Sequence, residues 1–419
     1  VSPPDVKRRR SLTHVGGAVV ISGDRDLARL LARALDVQPA RAPAPTESGA
    51  DDADRVHVHG FHAYPARIHP TTAACLVRAV SREGATVLDP FCGSGTVIVE
   101  AMLARRRAIG TDLNPIAVKL AKLKTALPEA PARAAIASTA EAVGAFATDR
   151  RKRRAGATKR YPPEDVALFD PHVLLELDSI QAGIAARSGP EPIVRDALEL
   201  VLSAILIKVS RRASETSAAM VPRRLAAGFA TRLFVSKAAE LARRLGDFAL
   251  QLPAGVPPPR IELDDTAKLR TVPASTVDAV VTSPPYVSTY DYFAQHSARL
   301  RWLKLDATRF AASEMGARRR FGKLDAHAAR SEWSRELVGV LRSIRRVCRP
   351  NARVVMVLAD SAVQDEALRA DTILAAVARE TGFMVLAQAS QTRPHFHAGT
   401  ARAFQERPRS EHAIALEKQ

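Results

Sequence analysis

Apolar positions along the chain follow two rhythms. Short apolar runs end on polar or acidic residues: Val87-Leu88 before Asp89, Arg107 to Thr111 before Asp112, Arg260 to Leu263 before Asp264-Asp265, Val277 to Val281 before Thr282, and Arg353 to Leu358 shortly before Asp360. Between the first of these lie stretches with helical spacing, Thr96 to Arg105 and Asn114-Pro115 to about Lys124. Run, helix, run, helix predicts parallel strands joined by crossover helices, the α/β doubly wound arrangement. Later stretches repeat it: helices Tyr292 to Leu303, Ala311 to Arg320, Ala328 to Cys348 and Ala367 to Thr381, then strands Phe383 to Gln388 and Ala413 to Leu416.

The rhythm breaks twice. From about Pro128 to Pro258 only helical periodicities appear, at Ala134 to Thr148, Val173 to Ala186, Val194 to Val209 and Leu225 to Leu250. This predicts a helical insertion between two strands of one sheet. Near the start, an apolar patch (Val15 to Ile21) and a helical pattern (Asp26 to Leu35) precede Gln38 to Asp54, which is rich in Ala, Pro and acid and reads as a flexible linker. Four segments are therefore expected: an arm and linker over 1–55, a first core part over 56–127, the insertion over 128–257, and a second core part over 258–419. The insertion is the candidate target-recognition region.

Charge changes the picture most. Lys and Arg number 62 against 44 acids in 419 residues, a formal +18. That balance favours a polyanion, nucleic acid ahead of a membrane surface, unless it only reflects an Arg-rich genome. The runs Arg151-Lys152-Arg153-Arg154, Lys159-Arg160 and Arg318-Arg319-Arg320 are read either as phosphate contacts or as solvated faces. Three scattered cysteines, Cys75, Cys92 and Cys348, suggest neither disulfides nor a zinc cage. No apolar run approaches the about 20 residues of a membrane span, and Val1 to Arg10 lacks the apolar core of a signal peptide. A cytoplasmic location is expected. His57, His59, His62 and His69 lie close in sequence, but without supporting cysteines or carboxylates no metal is expected there.

The chemistry starts at Asp89-Pro90-Phe91-Cys92-Gly93-Ser94-Gly95-Thr96. An acid at a strand end followed by a glycine turn lets a ligand approach the backbone. The turn lacks the Lys-Ser/Thr ending of a P-loop, and Ile98 replaces the third glycine of a dinucleotide fingerprint. Asp112, ending the next strand, suits a ribose, because a carboxylate accepts from both hydroxyls. Asp264 or Asp265, ending the third, is placed to meet an adenine amine. A nucleoside without a pyrophosphate fits best, and S-adenosylmethionine is the obvious one. Each acid taken singly could instead be a helix cap.

The partner stretch is Thr282-Ser283-Pro284-Pro285-Tyr286. A nucleobase amine is a poor nucleophile, since its lone pair is delocalised into the ring. Accepting hydrogen bonds from both amino hydrogens draws the nitrogen towards tetrahedral geometry. Ser283 offers a hydroxyl for this, and the stiff Pro284-Pro285 turn can aim the Pro284 carbonyl inward. Tyr286 offers a flat face for a base rotated out of its stack.

These two motifs resemble the cofactor and catalytic motifs of the amino-group DNA methyltransferases, which make N4-methylcytosine or N6-methyladenine. Tyr64-Pro65-Ala66 resembles the segment that precedes the cofactor loop in that family, and Asp291-Tyr292, His296 and Trp302-Leu303 resemble the stretch after the catalytic loop in one subgroup. The resemblance covers about half the chain and implies a Rossmann-like S-adenosylmethionine-dependent methyltransferase sheet. It implies cofactor binding by Tyr64, Pro65, Asp89, Pro90, Phe91, Gly93, Gly95, Thr96 and Asp112, with Asp264 or Asp265 at the adenine. Ser283, Pro284, Pro285 and Tyr286 hold the target amine. Duplex DNA is the implied partner; a cognate restriction endonuclease is left open, and neither membrane nor metal is called for. Ser283, where relatives also carry Asp or Asn, leans towards cytosine N4. A C5-cytosine enzyme is disfavoured, because its Pro-Cys nucleophile is missing. The rivals are tRNA guanine-N2 or protein glutamine methyltransferases, and a nucleic-acid-binding protein that has lost catalysis on the same fold.

Overall fold

The computed structural model describes residues 15–37, 55–217, 219–395 and 398–419. Lys7 to Arg10 and the expected linker Gln38 to Asp54 thus lie outside the described residues. Among the described residues ten strands form: β1 Val19–Gly23, β2 Thr86–Asp89, β3 Arg107–Asp112, β4 Arg260–Leu263, β5 Val277–Thr282, β6 Cys348–Ala359, β7 Ser361–Val363, β8 Glu366–Leu368, β9 Phe383–Thr392 and β10 Ser410–Lys418. Eight of them make one sheet in the order β1-β9-β10-β6-β5-β2-β3-β4. From β4 to β6 all neighbours are parallel. Strand β10 runs antiparallel to both β6 and β9, and β1 runs antiparallel to β9. The expected Rossmann-like α/β fold is what forms.

Two consequences position the site. The parallel strands bring Asp89, Asp112 and Thr282 to one edge, and the strand order reverses beside β2, where open α/β sheets bind ligands. Because β10 is reversed, its first residues, Ser410 and Glu411, reach that same edge.

Both sheet faces are covered, so the strands read as apolar runs. Val87, Ala279, Val281 and Val355 face one apolar cluster, while Leu88, Val280, Val354 and Met356 face the other. This is the period-two alternation of a strand. The second cluster is closed by helices Ala326–Val347 and Ala370–Glu380.

The insertion comprises helices Ala130–Lys152, Pro163–Leu168, Pro171–Arg187, Pro192–Val209 and Phe229–Gln251. Three of these start on proline, whose missing N–H costs nothing at a helix start. The insertion packs into the first core cluster with helices Thr96–Leu103, Pro115–Thr125 and Tyr292–Trp302. Lys119 of the core reaches Asp196 at 2.7 Å and Glu199 at 2.6 Å, and buried Arg299 reaches Glu215 at 2.7 Å.

Three expectations change. Residues 15–35 are no arm apart: β1 extends the sheet, and helix Arg25–Leu35 buries Leu27, Leu31 and Leu35 against it. Asp24 caps that helix by accepting from Leu27 N at 2.9 Å. The helix expected over Ala311 to Arg320 is two, Thr308–Ser313 and Arg318–Phe321. Between them Gly316 takes φ +64, and Glu314 turns away to accept from Tyr292 N at 2.6 Å and Phe293 N at 3.2 Å. It thereby satisfies the orphan donors at the start of helix Tyr292–Trp302. The helix expected from Ala367 starts at Ala370, because residues 366–368 pair with β7 in a small hairpin.

Candidate active site

Asp89 closes β2, 3% exposed. Its Oδ1 accepts from Phe91 N at 3.1 Å and from Thr282 Oγ1 at 2.6 Å. Burial pushes this carboxyl up to about 7 against those two bonds, with Asp112 adding to the rise. Asp112 closes β3 and accepts from Gly93 N (2.8 Å) and Asn114 N (2.8 Å). Burial raises it to about 6, while the backbone donors hold it down. Buried Asp89 and half-buried Asp112, both raised, line one cavity and suit a positive or hydroxyl-bearing ligand.

That cavity is lined by Tyr64, Asp89, Phe91, Gly93, Ser94, Thr96, Asp112, Asp265, Ser283, Pro285 and Tyr292, among others. Gly93 adopts φ +50, and a Cβ there would stand 3.2 Å from Tyr64 Cε1. Gly95 has a different task. At φ +85 it packs on Ala121, whose Cα a Cβ would meet at 3.1 Å, and it does not line the cavity. Tyr64 stacks on His296 (centroids 4.9 Å apart) and takes a bond from Asn114 Nδ2 at 3.3 Å. Burial drops His296 to about 3, with Arg299 and Arg212 assisting, so the stacked ring is neutral.

The acids after β4 separate cleanly. Asp264 faces inward, accepting from Thr271 N and Oγ1, both at 2.7 Å, and it does not line the cavity. Asp265 does line it. Pro65, Pro90 and Pro284 also stay off the lining. The Pro90 carbonyl accepts from Thr266 Oγ1 at 2.6 Å and holds the turn.

A second cavity adjoins the first and shares Ala66, Arg67, Ile68 and Ser283 with it. Its other walls include Tyr286, Tyr290, Arg393, Arg409 and Glu411. Tyr286 therefore belongs to this cavity and Pro285 to the first, with Ser283 at the junction. Burial and then Glu411 push the Tyr286 phenol well above its ordinary value. Sequence reasoning missed Arg67, Asn114, Glu314, Arg393, Arg409 and Glu411. Asn114 was legible only as a helix cap, and Glu411 carried no signal beyond preceding a strand.

Of the four histidines only His57 and His59 form a separate buried cluster, and the fold adds to it a carboxylate, Glu100, that the sequence reading did not find beside them. His59 Nε2 bonds Glu100 Oε1 at 2.8 Å, and ligand atoms of His57, His59 and Glu100 lie within 4.8 Å of one another. Burial, then Lys124 and Arg244, lowers His57 to about 4, and burial with Lys124 lowers His59 as well.

Residues 41–123 match the family model described as DNA methylase. Over this stretch the chain is similar to the DNA methylases that the model describes. Among curated proteins it is similar to the Type II methyltransferase M.MjaII of Methanocaldococcus jannaschii, 34% identical over 68 residues, 16% of this chain and 13% of that one. It is similar to the Type II methyltransferase M.MvaI of Kocuria varians, 39% identical over 70 residues, 16% of this chain and 15% of that one. It is also similar to the tRNA (guanine(10)-N2)-dimethyltransferase of Methanothermobacter thermautotrophicus, 38% identical over 61 residues, 14% of this chain and 18% of that one. The match thus spans less than a fifth of each relative's length.

The cofactor is S-adenosylmethionine. The residues present fit it. Ser94 Oγ and Thr96 Oγ1, both buried on the cavity lining, have no partner within the protein, and buried polar atoms are seldom left so without a ligand to meet. Two raised carboxyls suit a ligand that carries positive charge and hydroxyls. Among the described residues no helix is long and apolar enough to cross a membrane.

Proposed function

We propose that the chain moves a methyl group from S-adenosylmethionine to the exocyclic amine of a flipped base in duplex DNA, cytosine N4 in preference to adenine N6. The observation that carries this reading is the position of Ser283, on the lining of both cavities. A group held there touches the cofactor's neighbourhood on one side and a base-sized recess on the other. The cofactor supplies an electrophilic sulfonium methyl. Asp112 is the residue to hold its ribose, Asp265 its adenine amine, and Asp89 with Tyr64 its methionine end. In the second cavity Ser283 accepts from the target amine, and Tyr286 and Tyr290 flank the base. Positioning does most of the work.

The basic surface supports a polyanionic partner. Arg151, Lys152, Arg154 and Arg160 of the insertion are exposed. Their loop docks beside the helix that follows the catalytic turn, with Lys159 Nζ 5.5 Å from the Trp302 ring. Arg319 and Arg320 are weaker phosphate candidates. Arg319 sits 2.5 Å from both Asp291 and Glu314, and Arg320 pairs with Glu332 and Glu336.

The likeness to a tRNA guanine-N2 enzyme keeps that substrate class as the second reading. The deciding experiment is transfer from labelled S-adenosylmethionine to duplex DNA, followed by nucleoside mass spectrometry, with Ser283→Ala alongside. N4-methylcytosine or N6-methyladenine that the substitution abolishes supports the reading and names the base. Label in tRNA or protein but not in DNA overturns the substrate, and cofactor binding with no transfer overturns the activity.

A further inference from the structure

Beside Ser283 the second cavity ends in a charged wall. Tyr286 donates its hydroxyl to Glu411 Oε1 at 3.3 Å, and Ser283 lines the same cavity as that phenol. Arg393, 3% exposed, donates Nε to Glu411 Oε2 at 3.0 Å. Its remaining nitrogens donate to the carbonyls of Val15 at 3.3 Å and Leu35 at 2.9 Å. The carboxylate is thus held from behind by an arginine that the β1 segment and its helix keep in place. The Glu411 side chain remains 23% exposed, so it still meets water.

A serine at the head of the proline turn leaves the loop without an acid of its own, and a hydroxyl alone has nowhere to put a proton at neutral pH. Here an acid stands one phenol away, delivered by the reversed strand β10. We propose that Ser283, Tyr286 and Glu411 form a proton relay that takes the proton the target amine must lose, with Arg393 as the positioning residue; this rests on the methyl-transfer reading above.

The balance closes. As nitrogen bonds the methyl carbon, the carbon–sulfur bond breaks with its electron pair kept by sulfur, and the nitrogen is left cationic with one surplus proton. Ser283 Oγ accepts that proton and passes its own hydroxyl proton to the Tyr286 oxygen. Tyr286 in turn passes its proton to Glu411 Oε1. Serine and tyrosine end as they began, and Glu411 ends as the neutral acid, which returns its proton to water. Because burial disfavours a free phenolate at Tyr286, the phenol passes the proton on without storing it. The titratable or charged groups that face Glu411 are Arg393 just after β9, Arg409 before β10, Tyr286 and Tyr290 after β5, and Arg67 and His69 across the cavity.

Glu411→Gln keeps the shape and, through its one amide oxygen, one of the two bonds from Arg393 and Tyr286, but takes no proton. Single-turnover methylation of duplex DNA is expected to fall at least about tenfold and to lose its rise with pH on the acid side, with cofactor and DNA affinities unchanged. Tyr286→Phe leaves the Glu411–Arg393 pair untouched and is expected to give the same loss and the same flattened profile. A readout without cofactor accompanies these: in glutamate-labelled protein bound to DNA, the carbon-13 titration of Glu411 is expected to shift in Tyr286→Phe. Wild-type rates and pH profile in both variants, against a wild-type chain that methylates DNA, overturn the relay and leave the function standing. A wild-type chain that binds cofactor and methylates no DNA removes the function and the relay with it.

Discussion

Thr282 Oγ1 donates to Asp89 Oδ1 at 2.6 Å, joining the residue before the proline turn to the acid before the glycine turn across 193 positions of sequence. Strands β2 and β5 are parallel neighbours, so their last residues meet at the sheet edge. The bond locks the candidate catalytic loop to the candidate cofactor loop. Thr282 is fully buried.

Thr282→Val keeps the shape and deletes the donor. Stability is expected to fall by about 1–3 kcal/mol, the usual cost of orphaning a buried polar group. Cofactor affinity is expected to fall with it, because Asp89 loses a bond that favours its ionised form. Denaturant melts and calorimetric titration with S-adenosylmethionine check the two effects separately.

The raised carboxyls at Asp89 (about 7) and Asp112 (about 6) set a pH dependence. In the free protein each binds a proton more readily folded than unfolded. Their contribution to stability is therefore full below the unfolded carboxyl pKa and is lost as pH rises through 6 to 7. A ligand with positive charge favours the ionised pair, so its affinity should tighten over the same window. The cofactor-induced rise in melting temperature is expected to be larger at about pH 8 than at about pH 5.5, with protons released on binding. Calorimetry in buffers of different ionisation enthalpy counts those protons. Uptake in place of release would refute the coupling.

Gly93→Ala places a side chain at φ +50, 3.2 Å from the Tyr64 ring. The left-handed backbone alone costs about 1 kcal/mol. Cofactor affinity is expected to drop more than stability does, since Tyr64 must move off the cavity. Equal losses of both would mean that the turn is only structural.

The surface arginines divide into two groups by their partners. Removing Arg151 and Lys152 together is expected to lower the salt slope of DNA binding by about 2. Arg320→Ala is expected to leave the slope unchanged and to cost stability instead, because Arg320 bridges Glu332 and Glu336. Binding at several salt concentrations separates the two.

Much of the fold was legible. Each strand of the parallel core and each of its acids was marked by an apolar run, because a strand buried on both faces leaves no room for polar residues until it ends. Helix starts were marked by capping residues and prolines such as Asn114-Pro115, where the cap accepts from Ile116 N at 3.2 Å. The two loops that carry the proposed chemistry could be paired from sequence, since both follow strands of one sheet.

The divisions within the site were not legible. Asp264 and Asp265 are adjacent acids, and only the fold turned one onto Thr271 and the other into the cavity. Gly93 and Gly95 look alike in a motif, yet one faces Tyr64 and the other Ala121. Arg318-Arg319-Arg320 read as free charge until Glu314, Glu332 and Glu336 were found beside it.

The sequence by itself determined the α/β class, the strand-end acids and the two ligand loops, because periodicity and turn chemistry act between residues a few positions apart. Only the tertiary structure decided that β1 joins the sheet, that Glu411 stands behind Tyr286, and that Arg393 holds it there. Those relations depend on where a reversed strand ends and on which buried groups must pair across hundreds of residues. No local pattern encodes them.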